Sequence, residues 1–398
     1  MVSFLIVAPL KPANYVMTPA NMLEEMTAKP EERCLEDETE GLRMATRVSF
    51  ATQTLVQCWD ELDSPQFEGM IADDQLIKVT AAAISTCRGK RFLAADVELE
   101  DYRTDGKQIF DDVLKLEKTL SKAGVKIAEL AHEIGDESPM WVGRYLRLTQ
   151  DEAIPEGWLL GSPRVVRIDH EEHSFKVHLA WGNSVLFVEK KERTKDWDSL
   201  VRGLIDAQVI WIELDSLATI SHRNLINLYS GYEGMSLRQR SLFYDQLGEY
   251  QGLLALHQLS YDELKLSVQG VRREVAVSLL EAWGYSGVLG RVDRRIQDAQ
   301  AVALSLQAKS ERGYRKLIEW ILAFLAILGL VEFALSVIST AYSGPSRHVP
   351  GHDSPMHIMQ YIRTINADII VAVAMVLALL AGFRLFWQFI RGRKVVGG

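Results

Sequence analysis

Two long apolar runs near the end of the chain constrain it most. From Leu317 to Ala341 the sequence reads LIEWILAFLAILGLVEFALSVISTA, 25 residues with Glu319 and Glu332 as the only charges. From Ile369 to Ile390 it reads IIVAVAMVLALLAGFRLFWQFI, 22 residues with Arg384 as the only charge. A helix rises about 1.5 Å per residue and a bilayer's hydrocarbon core is about 30 Å thick, so each run is long enough to span. The expectation is two C-terminal transmembrane helices, 317–341 and 369–390, joined by an external loop, 342–368. Lys309, Arg312, Arg315 and Lys316 precede the first run, and Arg391, Arg393 and Lys394 follow the second. The loop holds only Arg347 and Arg363. This bias puts both termini in the cytosol. It predicts an integral protein of a bacterial inner or plasma membrane, with the lipid bilayer as a partner.

The formal net charge of −9 divides unevenly. Residues 309–398 hold 10 Lys/Arg against 5 Asp/Glu, leaving 34 against 48 in the first 308. An acidic surplus of that size excludes a phosphate-binding surface over the large part, so no nucleic-acid contact is expected there. A hydrophobic fraction of 48% excludes a disordered chain. Cys34, Cys58 and Cys87 are widely spaced and form no C-x-x-C pair. That argues against a disulfide framework or zinc ribbon and fits a reduced compartment. The apolar N-terminus has no basic residue before Lys11 and reads as a strand, not a signal peptide.

Residues 1–190 read as a cytosolic α/β domain. Strands are expected at 3–8, 47–56 and 91–99, and helices at 73–87 and 106–134. A three-strand meander follows at 165–170, 174–181 and 184–189. Residues 195–283 read as a cytosolic helical region, with one long helix over 196–228. Capping boxes at Ser236 and Ser260 would start two more. Gly284, Gly287 and Gly290 mark a helix break. Beyond it Val292, Ile296, Ala299, Ala303 and Leu306 recur at coiled-coil spacing. A stalk helix over 291–316 would thus run straight into the first span as a rod of roughly 75 Å. Self-association would cover it. Residues 391–398 form a cytosolic tail.

No enzyme signature is present: there is no Walker A, H-E-x-x-H or G-x-S-x-G motif. The expectation is a non-enzyme without a cofactor, with a divalent cation as substrate or regulator. His170-Glu-Glu-His173 and His178 cluster near a hairpin, as a metal site or as an ordinary polar tip. Glu332 lies about 15 residues, or roughly 22 Å, into the first run. Ser336, Ser339 and Ser343 continue one polar stripe from it. In an oligomer the stripe would become stacked rings of oxygens, which select cations; alternatively, a protonated Glu332 packs against neighbouring helices. These four are the candidate pore-lining residues. His348, His352, Asp353 and His357 in the external loop would attract cations. Arg391, Arg393 and Lys394 would form a basic inner collar.

This layout resembles the CorA-like family of two-span metal-ion transporters. The resemblance rests on the order of α/β domain, long helices, stalk helix, first span, outer loop and second span with a basic tail. Where the family carries Gly-Met-Asn after a Tyr, this chain reads Tyr342-Ser-Gly-Pro. The resemblance implies a homo-oligomer, a pentamer in the family, conducting cations such as divalent metal ions through a channel lined by the first span. The alternative is a membrane-anchored sensor or effector whose cytosolic domain binds a signalling ligand or partner and triggers a non-selective pore.

Overall fold

Asp73 and Asp74 both sit at positive φ, 52° and 63°. That is the geometry of a type I′ turn, whose twist matches antiparallel strands. The turn joins β3 (Ile71–Ala72) to β4 (Gln75–Cys87). The expected helix at 73–87 is therefore a strand. Its period decides the matter: Gln75, Ile77 and Val79 are buried while Leu76, Lys78 and Thr80 are exposed. A register shift between Val79 and Ala81 then carries the alanine run, which had looked helical, into the sheet. A second positive-φ pair, Arg88 and Gly89, turns the chain into β5 (Lys90–Leu99).

A computed structural model describes residues 1–12, 18–27, 55–102, 106–131, 137–159, 163–169, 174–188, 195–231 and 237–343, together with Ile369, Ala372, Val373 and Val376. It divides into two units, Met1–Ala301 and Val302–Gly398. In the first, ten described strands form one sheet of order β2-β4-β5-β1-β7-β10-β9-β8, with β3 and β6 attached to β4 and β1. The remaining strands are β1 (Val2–Pro12), β2 (Cys58–Glu61), β6 (Glu137–Pro139), β7 (Gly143–Leu148), β8 (Arg164–Asp169), β9 (Ser174–Leu179) and β10 (Asn183–Phe187). Among the described strands only β7 and β10 pair in parallel. The expected meander is present as β8, β9 and β10, antiparallel throughout. Of the expected strand at 47–56, residues 47–54 lie outside the described residues.

β1 lies between β5 and β7 with Phe4 to Ala8 all buried. A strand covered on both faces reads as a continuous apolar run, as this one does. One face is covered by α2 (Val113–Leu130), where Leu116, Leu120 and Ile127 join Phe4, Ile6 and Trp158 in the core. The other face meets α3 (Lys195–Gly231). α1 (Pro19–Thr27) contacts α4 (Leu237–Ser267).

α4 corrects the expected second capping box. Ser260 lies inside this helix, and its Oγ donates to the Leu256 carbonyl at 3.0 Å. α5 (Gly270–Ala282) crosses α3 so closely at Gly203 that a Cβ there would lie 2.5 Å from the Arg272 carbonyl oxygen. Beside that crossing Arg272 grips the buried Asp206 with Nε at 2.6 Å and Nη2 at 3.0 Å. Gly284, at φ 72°, ends the turn after α5, and α6 (Tyr285–Ser343) starts at once. Gly287 and Gly290 are thus helical, and the expected break is confined to one turn. Val292, Ile296, Ala299 and Ala303 are buried within a single chain. Within the first unit Gln251 of α4 donates to Gln300 of α6 at 2.8 Å. Cys58 is disulfide-bonded and Cys87 is free and buried, whereas the cysteine spacing had suggested no disulfide.

The membrane expectation is overturned. Among the described residues no helix is long and apolar enough to cross a membrane. A span needs about 20 uninterrupted apolar residues. The side chains described within 317–341 do not make such a length, and they include the exposed Glu319 and Glu332. Of 369–390 only four residues are described. The fold class therefore keeps its mixed α/β part and its long helices but loses the two transmembrane helices. Integral-membrane localisation and the bilayer as partner go with them. In the second unit α6 does present Ile321, Leu322, Phe324 and Leu325 as exposed apolar side chains.

Candidate functional site

The turn at Arg88 and Gly89 determines where the charges go. A type I′ turn lets both strands keep their pairing, with Cys87 opposite Lys90. Arg88 is directed into the protein, and its side chain is 1% exposed. Its Nη1 lies 3.0 Å and 3.2 Å from the two carboxylate oxygens of Glu213 on α3. Glu213 is wholly buried, as is His257 on α4. The Nδ1 of His257 lies 3.3 Å from Glu213 Oε2, and its Nε2 lies 2.9 Å from the Tyr285 hydroxyl. Tyr285 is the first residue of α6, and its ring packs on Tyr261 with centroids 4.3 Å apart. Four side chains from a turn and three helices thus form one buried polar row.

Burial alone would push the Glu213 carboxyl upward, because a charged group loses its hydration there. The Arg88 charge, the His257 hydrogen bond and Lys90 outweigh this and hold Glu213 at about 2. Burial acts to lower Arg88, but the facing Glu213 charge leaves it raised. Burial drives the Tyr285 phenol far above its usual range, with further pushes from Tyr261 and Glu213. Tyr285 therefore stays protonated, and its hydroxyl pairs with His257 Nε2 while Nδ1 pairs with Glu213. The Glu213 carboxylate, both ring nitrogens of His257 and the Tyr285 hydroxyl are each paired within the row.

The row ends under a cleft. Lys90, the first residue of β5, places Nζ 2.6 Å from Glu25 Oε2 on α1 and 3.9 Å from Glu213 Oε1. Next to it Arg91 Nη1 lies 3.3 Å from Glu137 Oε2 on β6. The Glu137 carboxyl is raised by burial, which exceeds the lowering by Arg91. Leu10, Met140 and Ile212 give the cleft an apolar lining, and Lys11 and Ser216 add polar groups. Its volume is about 140 Å³. The Met140 amide donates to the Pro9 carbonyl at 2.8 Å and ties the β6 end to β1. Neither His257 nor Tyr285 lines the cleft, so the Glu-His-Tyr row does not meet a ligand directly.

The residues singled out from sequence lie elsewhere. Glu332, Ser336 and Ser339 are on α6 and exposed. The side chain of Ser343 lies outside the described residues, as do His348, His352, Asp353, His357, Arg391, Arg393 and Lys394. His170 to His173 also lie outside them. His178 packs edge-on to Phe187 at 5.4 Å. Among the described residues no three His, Cys, Asp or Glu side chains group as a metal site. Among those residues no helix is long and apolar enough to cross a membrane, which undercuts a pore lined by the first run. The cation-channel reading is corrected accordingly, and so is the membrane-anchored pore-trigger alternative.

Sequence reasoning missed Glu25, Arg88, Lys90, Glu213, His257 and Tyr285. One signal was available. Asp206 and Glu213 lie seven residues apart in LIDAQVIWIEL, apolar otherwise except for Gln208, so two carboxylates share the buried face of a helix. Buried carboxylates require cations, and Arg-Gly-Lys-Arg at 88–91 offers them between two apolar runs.

No family model, curated protein or solved structure matches the chain. The CorA-like resemblance was one of architecture and rested on two membrane spans; it is withdrawn with them.

Proposed function

We propose that residues 1–301 form a ligand-sensing module and not an enzyme. A small charged ligand binds the cleft, and its occupancy is passed through the buried row to the start of α6. One observation carries this reading: Lys90 is shared between Glu25 in the cleft and Glu213 in the row, at 2.6 Å and 3.9 Å. A ligand that draws Lys90 away from Glu213 removes one of the cations holding that carboxylate ionised. The change is felt at His257 and then at Tyr285, where α6 begins one residue after the positive-φ Gly284. No bond-making step is involved, and the row's role is to communicate.

A double-mutant cycle tests the reading. Lys90→Met and His257→Phe are made singly and together, and urea unfolding gives the three stability changes. Residues acting through one network couple by about 0.5–3 kcal/mol, whereas independent sites add to within about 0.5 kcal/mol. Coupling is expected; additivity would remove the link between cleft and row.

A further inference from the structure

We infer that the ligand of this cleft is a small zwitterion with an apolar body, of the size and chemistry of a free apolar α-amino acid. The inference rests on the ligand-sensing reading and gives it a ligand class. It follows from how the cleft is charged. Lys90 and Arg91 are its cations, and each already faces its own carboxylate, Glu25 at 2.6 Å and Glu137 at 3.3 Å. All four side chains are less than one-third exposed. A purely anionic ligand would take the cations and strand Glu25 and Glu137 in a partly dehydrated site. A purely cationic ligand would strand Lys90 and Arg91. Leaving a buried charge without its partner is strongly unfavourable, so both classes are penalised.

A zwitterion strands neither. Its carboxylate meets Lys90 and Arg91 while its ammonium meets Glu25 and Glu137, so each ion pair is replaced in kind. Leu10 and Ile212, both buried, and the partly exposed Met140 then face the ligand's apolar body. Size agrees. A volume of about 140 Å³ is well below the roughly 300–1,000 Å³ typical of drug-sized ligands, which favours a small ligand. Lys11 at the rim leaves the cleft one positive charge over balance, which favours entry carboxylate first.

The test compares one ligand with its two halves. L-leucine, 4-methylpentanoate (no ammonium) and isoamylamine (no carboxylate) are titrated into the full chain by calorimetry. Trp181, Trp211 and Trp283 supply a second readout, since their rings pack edge-to-face at 5.2–5.4 Å and Trp283 lies two residues before Tyr285. Leucine is expected to bind, with each half at least about tenfold weaker. Arg91→Met and Glu137→Gln, at the more open pair, should each weaken leucine binding by about tenfold. Binding of 4-methylpentanoate as tight as leucine would overturn the inference in favour of an anion site. Equal binding of isoamylamine would overturn it in favour of a cation site. No heat from leucine at about 1 mM would overturn it outright. The sensing reading fails separately. Leucine heat without any tryptophan response, alongside an additive Lys90–His257 cycle, would leave the ligand class standing and remove the signal.

Discussion

Arg88 and Glu213 are held 3.0 Å apart with almost no water, so each is the other's principal solvation. Glu213→Gln removes the negative charge and leaves Arg88 buried beside Lys90. Breaking a buried pair from one side typically costs about 3–5 kcal/mol, and a loss of that size is expected in urea unfolding at neutral pH. The same carboxylate gives a pH signature. Its folded value is about 2 against an ordinary 4.5, a depressed acid. The stability it contributes is fully present above about 4.5 and is lost as pH falls through about 2. The amount is about 3 kcal/mol. Urea midpoints followed from pH 6 to pH 2 should therefore fall steeply in the wild type, and the fall should be shallower in Glu213→Gln. At this scale little of the site was legible. Glu213 and Asp206 could be read as carboxylates on an apolar helix face, but their partners are 125 and 66 residues away in sequence.

At the scale of elements, glycines separate contact from propensity. In α3, Gly203 admits no Cβ, because the Arg272 carbonyl of α5 would lie 2.5 Å from it. Gly203→Ala is expected to push the two helices apart and cost about 1–3 kcal/mol, as overpacking does. In α4, Gly252 has nothing within 4 Å of the same atom. Gly252→Ala there should gain about 0.5–1 kcal/mol from helix propensity alone. Thermal melts of the pair check both signs. The long helix over 196–228 was legible because its apolar spacing persists for many turns, and it emerged as Lys195–Gly231. β4 was not. Its alanines have helical preferences, yet positive φ at the preceding turn and cross-strand pairing with β5 override them. Ser260 failed for a related reason: a capping-box pattern holds only where a helix begins, and here α4 was already under way.

For the whole molecule, the order of mixed α/β part followed by long helices was readable from hydrophobic period. The cleft was not readable, because it is assembled from the end of β1, the β4–β5 turn, β6, α1 and α3, which only the sheet order brings together. The apolar runs near the C-terminal end dominated the sequence reading. They drew attention to Glu332 and away from the acidic helices, where the buried charges are paired. The central claim is that the cleft and the start of α6 are one coupled system through Lys90, Glu213, His257 and Tyr285. Amide hydrogen exchange over residues 285–301 tests it most directly, in the wild type, in Lys90→Met and in a control, Lys78→Met. Lys78 also pairs with a glutamate, Glu98 at 3.1 Å, but on the exposed side of the sheet. The account predicts faster exchange in the first turns of α6 for Lys90→Met and none for Lys78→Met. Identical exchange in all three proteins would contradict it.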